Sequence, residues 1–424
     1  MTSLTGTPFL AAAFIVAVLA VLVPLFVWGR VGGPVVVRGA VRLVMVMVAQ
    51  TSAIVAVFVA VNDQYGLYDN WGDLLGTESH VTAAPDLGAD GTGGRNIADS
   101  PRVRQTFTPV TDDPDIGPDL RRTHLKGELS GAEGEVYVWL PPQYDDPAYK
   151  NKDFPVVELL AGYPGSARDW WGNLDVQTQL RPMTENGEAT PFILVSPRTT
   201  LLPGQDTGCV NVPGVVNADT WLSVDVRKMV TDNFRAQKSS AGWAVAGFSA
   251  GAHCAAKLAL EHPDRFRAGI GFSGYNDPGA EPSSVAAHDT RLRRETNPLW
   301  IIAHAKTPPL TSLYLTGEPA DGYNDGLALQ RAAKAPTSVT AVRTTGGHRV
   351  TSWKPLVPQA FRWLSGVLDG PVPSPPPGGP RPSGAPASAH LPGGRPAPHG
   401  PGRPLATPSP RPVTADASTE KVKP

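Results

Sequence analysis

Cysteine is almost absent from this chain: 424 residues hold only Cys209 and Cys254, with no Cys-x-x-Cys pair, which excludes a zinc site of the usual kind. Excess charge is missing too. Lys and Arg number 37 against 38 Asp and Glu, and no basic block stands near the middle of the chain, so neither nucleic-acid binding nor steering of a highly charged substrate is expected. There is no Walker phosphate loop and no His-Glu-x-x-His, so the residues call for no metal and no cofactor.

What is present is organised around Trp243-Ala-Val-Ala-Gly-Phe-Ser-Ala-Gly251, a short apolar run that passes through Gly-x-Ser-x-Gly into an alanine-rich helical pattern ended by Pro263. A strand that turns directly into a helix strains the connecting residue, and only small residues fit two places either side, here Gly247 and Gly251. Ser249 is thereby pushed clear of the sheet. The amide of Ala250, at the first helical turn, is left free for an oxyanion where the helix dipole favours negative charge.

Two long apolar runs lie near the start, Phe9 to Trp28 and Leu43 to Val61, each able to cross about 30 Å of hydrocarbon as a helix. A cleaved signal peptide is the rival for the first, but a basic leading segment and a small-residue cleavage site are missing. Arg30, Arg38 and Arg42 fall in the short loop between the runs, which places that loop in the cytoplasm and both flanks on the other side. Tyr65, Tyr68 and Trp71 follow closely, as an aromatic belt or a packed stub.

The expected organisation is two transmembrane helices (1–62), a juxtamembrane segment and linker (63–120), a catalytic domain (121–369) and a Pro-rich disordered tail (370–424). In the domain, strand patterns at Thr123 to Leu129, Glu135 to Leu140, Phe154 to Leu160, Phe192 to Ser196, Gly242 to Ala246, Ala268 to Ser273, Leu310 to Thr316 and Thr337 to Arg343 alternate with helical stretches. Helical spacing covers Asp219 to Phe234, and a closing helix runs from Pro355 to Leu368. That alternation implies an α/β fold with a mostly parallel sheet and helices on both faces. The tail is a solvated end or a contact to an envelope polymer.

A serine nucleophile needs a histidine base held by a carboxylate, and in such a fold the order is Ser, acid, His. Among nine histidines His348 stands in the glycine turn Thr344-Thr-Gly-Gly-His348, after the last strand and before the last helix. The acid is sought in Leu315-Thr-Gly-Glu-Pro-Ala-Asp-Gly-Tyr-Asn-Asp325, with Asp321 preferred over Glu318 and then Asp325; any of them could instead cap the helix beginning near Asn324. The loop Ala161-Gly-Tyr-Pro-Gly-Ser166 follows an inner strand, and the Tyr163 amide is the second oxyanion donor expected. Trp170 and Trp171 beyond it read as core or rim packing.

Taken together, Leu159-Leu-Ala-Gly-Tyr-Pro-Gly165, Gly247-Phe-Ser-Ala-Gly251, His262-Pro-Asp-Arg-Phe266 with Phe272-Ser-Gly274, and Gly346-Gly-His-Arg-Val-Thr-Ser-Trp353 resemble the esterase D-like branch of the α/β-hydrolases, which also contains the mycolyltransferases. The resemblance covers about Arg121 to Leu368. It implies an α/β-hydrolase fold, Ser249 as nucleophile, His348 as base and the Ala250 and Tyr163 amides as oxyanion hole. Ala161 departs from the histidine or aspartate that many relatives carry, and the later acid of the mycolyltransferases keeps Asp325 in play. Outside the cytoplasm Cys209 and Cys254 are candidates for a disulfide, with two buried thiols as the alternative.

The function expected is acyl transfer through an acyl-serine: a membrane-anchored, extracytoplasmic esterase or acyltransferase acting on an ester or acyl-lipid substrate. The rival from another class is a non-catalytic envelope scaffold on a hydrolase fold.

Overall fold

The computed structural model describes residues 7–374 apart from 66, 67, 69, 112, 114, 115 and 118. The tail beyond Ser374, expected to be disordered, lies outside the described residues, as does the side chain of Tyr65.

Two helices open the chain, α1 (Thr7–Val27) and α2 (Val35–Tyr65), packed as a hairpin. Both are long and apolar enough to cross a membrane, with mean hydropathies of 3.0 and 2.4. The reversal between them is shorter than expected, because the Pro34 carbonyl already accepts the first helical bond of α2, from the Arg38 amide at 3.0 Å. Arg38 and Arg42 therefore sit in the first turns of α2 rather than in a loop. Arg42 lies over the Trp28 ring at 5.0 Å and donates to the Trp28 carbonyl at 3.2 Å, so the basic residues stay at the hairpin's closed end.

At the open end the chain folds back on the helices. Asn62, fully buried, donates to the Tyr68 carbonyl at 3.0 Å and accepts from the Tyr68 amide at 2.8 Å. The short helix α3 (Trp71–Leu75) follows, with Trp71 edge-on to Phe9 of α1 at 6.1 Å. The stretch read as a tether is packed beyond this point: Val81 bridges Ala132, Leu87 joins Leu129 and Val224 in a small buried cluster, and Val110 and Ile116 are buried.

Nine strands make the main sheet: β1 (Thr108–Pro109), β2 (Leu120–Lys126), β3 (Glu133–Trp139), β4 (Val156–Leu160), β5 (Ile193–Pro197), β6 (Trp243–Phe248), β7 (Ala268–Phe272), β8 (Ser312–Gly317) and β9 (Ser338–Arg343). Their spatial order is β1-β2-β3-β5-β4-β6-β7-β8-β9. The first four in that order pair antiparallel, and β5 through β9 run parallel. Alternation along the inner strands explains the double cover. Val156, Leu160, Trp243 and Val245 face one apolar layer, while Val157, Leu159, Ala244 and Ala246 face the other.

The first layer is covered by the helical segment α5 (218–233), by α6 (Ala250–Glu261) and by α7 (Pro298–His304); the second by α4 (Val176–Glu185) and α9 (Val357–Ser365). Residues 221–226 of α5 are wound as a π-helix. Between β8 and β9 lies α8 (Tyr323–Ala332). This is the α/β-hydrolase architecture expected, and the parallel strands end together at the edge where α6 begins.

Candidate active site

Ser249 occupies the turn from β6 to α6 with φ 55° and ψ −124°, a conformation that costs a non-glycine residue about 1–3 kcal/mol. The neighbours permit it only as glycines. A Cβ on Gly247 would lie 2.0 Å from the Gly251 carbonyl oxygen, and one on Gly251 would lie 2.4 Å from that of Leu160. The turn is pinned from below by the Ser249 amide, which donates to the Phe272 carbonyl of β7 at 2.9 Å.

His348, in the loop after β9, places Nε2 2.8 Å from Ser249 Oγ. Its Nδ1 lies 2.7 Å from Asp321 Oδ1. An ionised carboxylate can only accept, so Nδ1 carries the proton toward Asp321 and Nε2 is free to accept from the serine. The ring stands edge-on to buried Trp353 at 4.9 Å, and Trp353 stacks on Phe248 at 5.0 Å and donates to Ser273 Oγ at 2.9 Å. Trp353 ends the motif that carries His348 without a role of its own in the sequence; its spacing five residues past the histidine, at the end of a short helix, is the signal that marks it as the imidazole's support.

The three candidate acids are separated by geometry. Glu318 Oε1 accepts from the Gly346 and Gly347 amides at 2.7 and 3.0 Å and so braces the histidine loop. Asp325 is in the first turn of α8 and accepts from the Asn276 amide at 3.0 Å, tying down the loop after β7. Only Asp321, in the tight turn Glu318–Gly322 past the end of β8, meets the imidazole.

Opposite the serine, the loop after β4 approaches so closely that a Cβ on Gly162 would lie 3.0 Å from Ser249 Cβ. Tyr163 comes next. Among the described residues its amide and that of Ala250, which directly follows Ser249, donate to no backbone carbonyl. Trp170 and Trp171 are fully buried in the second layer, as packing residues.

Cys209 and Cys254 form a disulfide with Cα atoms 5.7 Å apart, which joins the loop after β5 to α6 five residues beyond Ser249. His253 beside it is buried, stacks on Tyr275 at 4.8 Å and shares Nδ1 with the Tyr275 carbonyl at 2.9 Å; burial pushes it down to about 4, and it stays neutral. His262 lies 2.8 Å from Asp219, which also receives Lys257 at 2.5 Å. Burial opposes the charge of Asp219, but His262 and Lys257 overcome it and hold the carboxyl below its usual range. With the Lys257 ammonium also 2.6 Å from Glu261, the cation position among these acids is taken by the protein itself, and the cluster locks α5 to α6.

The sheet order, the serine at a β6–α6 elbow and a histidine from the loop after the last strand define an α/β-hydrolase. More narrowly, residues 128–364, over half of the chain, match the model of the family described as "Putative esterase", and the chain belongs to that family. An uncharacterized protein of Corynebacterium glutamicum is 26% identical over 287 residues, covering 62% of this chain and 65% of that protein's length. Among solved structures, a ferulic acid esterase superposes with a TM-score of 0.51 at 20% identity, over 59% of this chain and 98% of that one. An S-formylglutathione hydrolase from Agrobacterium tumefaciens aligns with a TM-score of 0.47 at 15% identity, over 63% of this chain and 99% of that one. The likeness to the ferulic acid esterase is one of fold.

Proposed function

We propose that the protein is a serine esterase or acyltransferase, held in the cell membrane by α1 and α2 with its catalytic domain on the extracytoplasmic side. The observation that carries the chemistry is the unbroken line Asp321–His348–Ser249, with contacts of 2.7 and 2.8 Å. In this reading His348 Nε2 takes the Ser249 proton as Oγ attacks the ester carbonyl, and Asp321 steadies the imidazolium that forms. The Ala250 and Tyr163 amides receive the oxyanion, where donors preorganised in this way are worth about 3 kcal/mol each. Collapse of the tetrahedral intermediate expels the alcohol, which takes the proton from His348 and leaves acyl-Ser249. Water then releases the acid, or another hydroxyl accepts the acyl group.

Membrane anchoring is supported by the two exposed apolar helices, and the orientation by Arg30, Arg38 and Arg42 at the hairpin's closed end. The disulfide suits an oxidising compartment. Ester lipids of the envelope lie within reach of a domain so held.

The test is turnover of a p-nitrophenyl ester series by the full chain in nanodiscs, wild type against Ser249→Ala, with a long-chain alcohol added in parallel. Serine-dependent release of free acid alone identifies an esterase, and acylated alcohol a transferase. Equal rates for the two proteins overturn the reading.

A further inference from the structure

α2 carries a side-chain amide near the middle of its apolar length. Gln50 falls within two residues of the centre whether the span is taken as Val35–Asp63 or as the uncharged run Leu43 to Val61. It is exposed, and among the described residues its side chain has no hydrogen-bond partner. Ser52, two residues on, meets its own need inside the helix, donating from Oγ to the Val48 carbonyl at 2.7 Å.

The surroundings of Gln50 are patterned. Leu43, Met47, Gln50, Ile54, Val57 and Val61 are all exposed and follow one another at alternating spacings of four and three, the heptad rhythm of a helix that packs along one seam. At 3.6 residues per turn, the buried Ala56 and Val59 fall on the other side of α2. The hairpin partner α1 therefore leaves the seam open.

We propose that a second copy of the chain docks on this seam, as a parallel pair of α2 helices joined by mutual Gln50 hydrogen bonds. The inference rests on the reading of α1 and α2 as membrane helices and is independent of the chemistry at Ser249.

Hydrocarbon covers leucine, isoleucine and valine without penalty, but it offers nothing to a carboxamide, whose short side chain sits too deep to reach water. Another helix in the membrane is left as the partner. Its identity as α2 of a second copy follows from orientation, chemistry and spacing. Arg30, Arg38 and Arg42 at the closed end of the hairpin give every copy the same orientation, so two α2 helices meet parallel and each residue faces its counterpart at equal depth. A carboxamide is complementary to itself: Nε2 of one copy donates to Oε1 of the other, and the reverse. An apolar heptad seam with a single polar residue is also the pattern of parallel helix pairs, in which that residue fixes the register.

The experiment places single cysteines in the full chain, reconstituted in liposomes at a low protein-to-lipid ratio and oxidised with copper phenanthroline. Cys209 and Cys254 are bonded to each other, so each introduced thiol is the one that can cross-link. Met47→Cys and Ile54→Cys lie on the seam, whereas Val48→Cys and Val55→Cys are exposed off it. Disulfide-linked dimer is expected to be at least about fivefold more abundant for the seam positions, and adding Gln50→Leu should lower it about fivefold. Leucine is more apolar than glutamine, so that variant inserts at least as readily. Equal yields on and off the seam, or a yield that ignores Gln50→Leu, overturns the proposal. So does the absence of dimer at every position, the outcome expected if lipid or a different membrane protein covers the seam. Release of the chain from host membranes by alkaline carbonate instead overturns the membrane reading, and the proposal with it.

Discussion

Glu318 accepts hydrogen bonds from Gly346 and Gly347 at 2.7 and 3.0 Å, while Asp321, three residues on, meets His348 itself at 2.7 Å. One short turn therefore supplies both the carboxylate that holds the imidazole's tautomer and the one that holds its loop. Asp321→Asn is expected to lower kcat by about 10³–10⁴, because an amide favours the wrong tautomer. Glu318→Gln should cost about tenfold through a loosened loop, and Asp325→Asn less than about threefold. Steady-state kinetics on the three variants checks the order; a larger loss at Asp325 than at Asp321 would assign the acid to α8.

Gly162→Ala tests the close approach on the other side of the serine. Its Cβ would meet Ser249 Cβ at 3.0 Å and the Phe248 ring at 3.1 Å, so the oxyanion loop has to retreat by a few tenths of an ångström. A drop of about 10–100-fold in kcat with a nearly unchanged KM is expected, since the loop's amide acts on the transition state. A wild-type kcat would show that the loop carries no donor.

The disulfide closes a loop of 45 residues and fastens the chain after β5 to the nucleophile helix. Replacing Cys209 and Cys254 together by Ala is expected to destabilise the domain by about 2–4 kcal/mol, measured by denaturant unfolding. Wild type under reducing conditions should shift the same way. No shift in either would mean that the bridge constrains nothing that unfolds.

Glu158 sits in the middle of β4, fully buried, and neither side-chain oxygen has a hydrogen-bond partner among the described residues. Burial pushes its carboxyl well above the ordinary range, so the folded protein keeps a proton that the unfolded chain releases. This group therefore takes stability away as pH rises from the unfolded value of about 4.3 toward the folded one. Glu158→Met should raise the melting temperature at pH 7–8 by several degrees and have little effect near pH 4. An equal shift at both pH values would contradict the protonation argument.

Much of this was legible in the chain because the demanding positions carry local signatures. The elbow at Ser249 needs Gly247 and Gly251 for steric reasons that any sequence must meet, and His348 stands in a Gly-Gly turn that bends the chain back to the sheet edge. Strand alternation and the two apolar runs were equally local. The choice among Glu318, Asp321 and Asp325 was ranked but not decided, since it depends on the direction each side chain takes from a turn whose hydrogen bonds reach from Glu318 to residue 323. Contacts between the linker and the domain were not legible at all. Arg198 reaching Asp73, or Val81 bridging Ala132, turns an apparently structureless linker into part of the domain, and nothing in its composition announces that.

The account stands or falls on Ser249 as an activated nucleophile. The most direct measurement is intact-mass analysis of the full chain in nanodiscs after reaction with a fluorophosphonate, for wild type, Ser249→Ala and His348→Gln. The account predicts one phosphonyl group per wild-type chain, located by peptide mapping at Ser249, none on Ser249→Ala, and labelling slowed by at least about 10² in His348→Gln. Wild-type protein that stays unlabelled, or labels equally without Ser249, would contradict it.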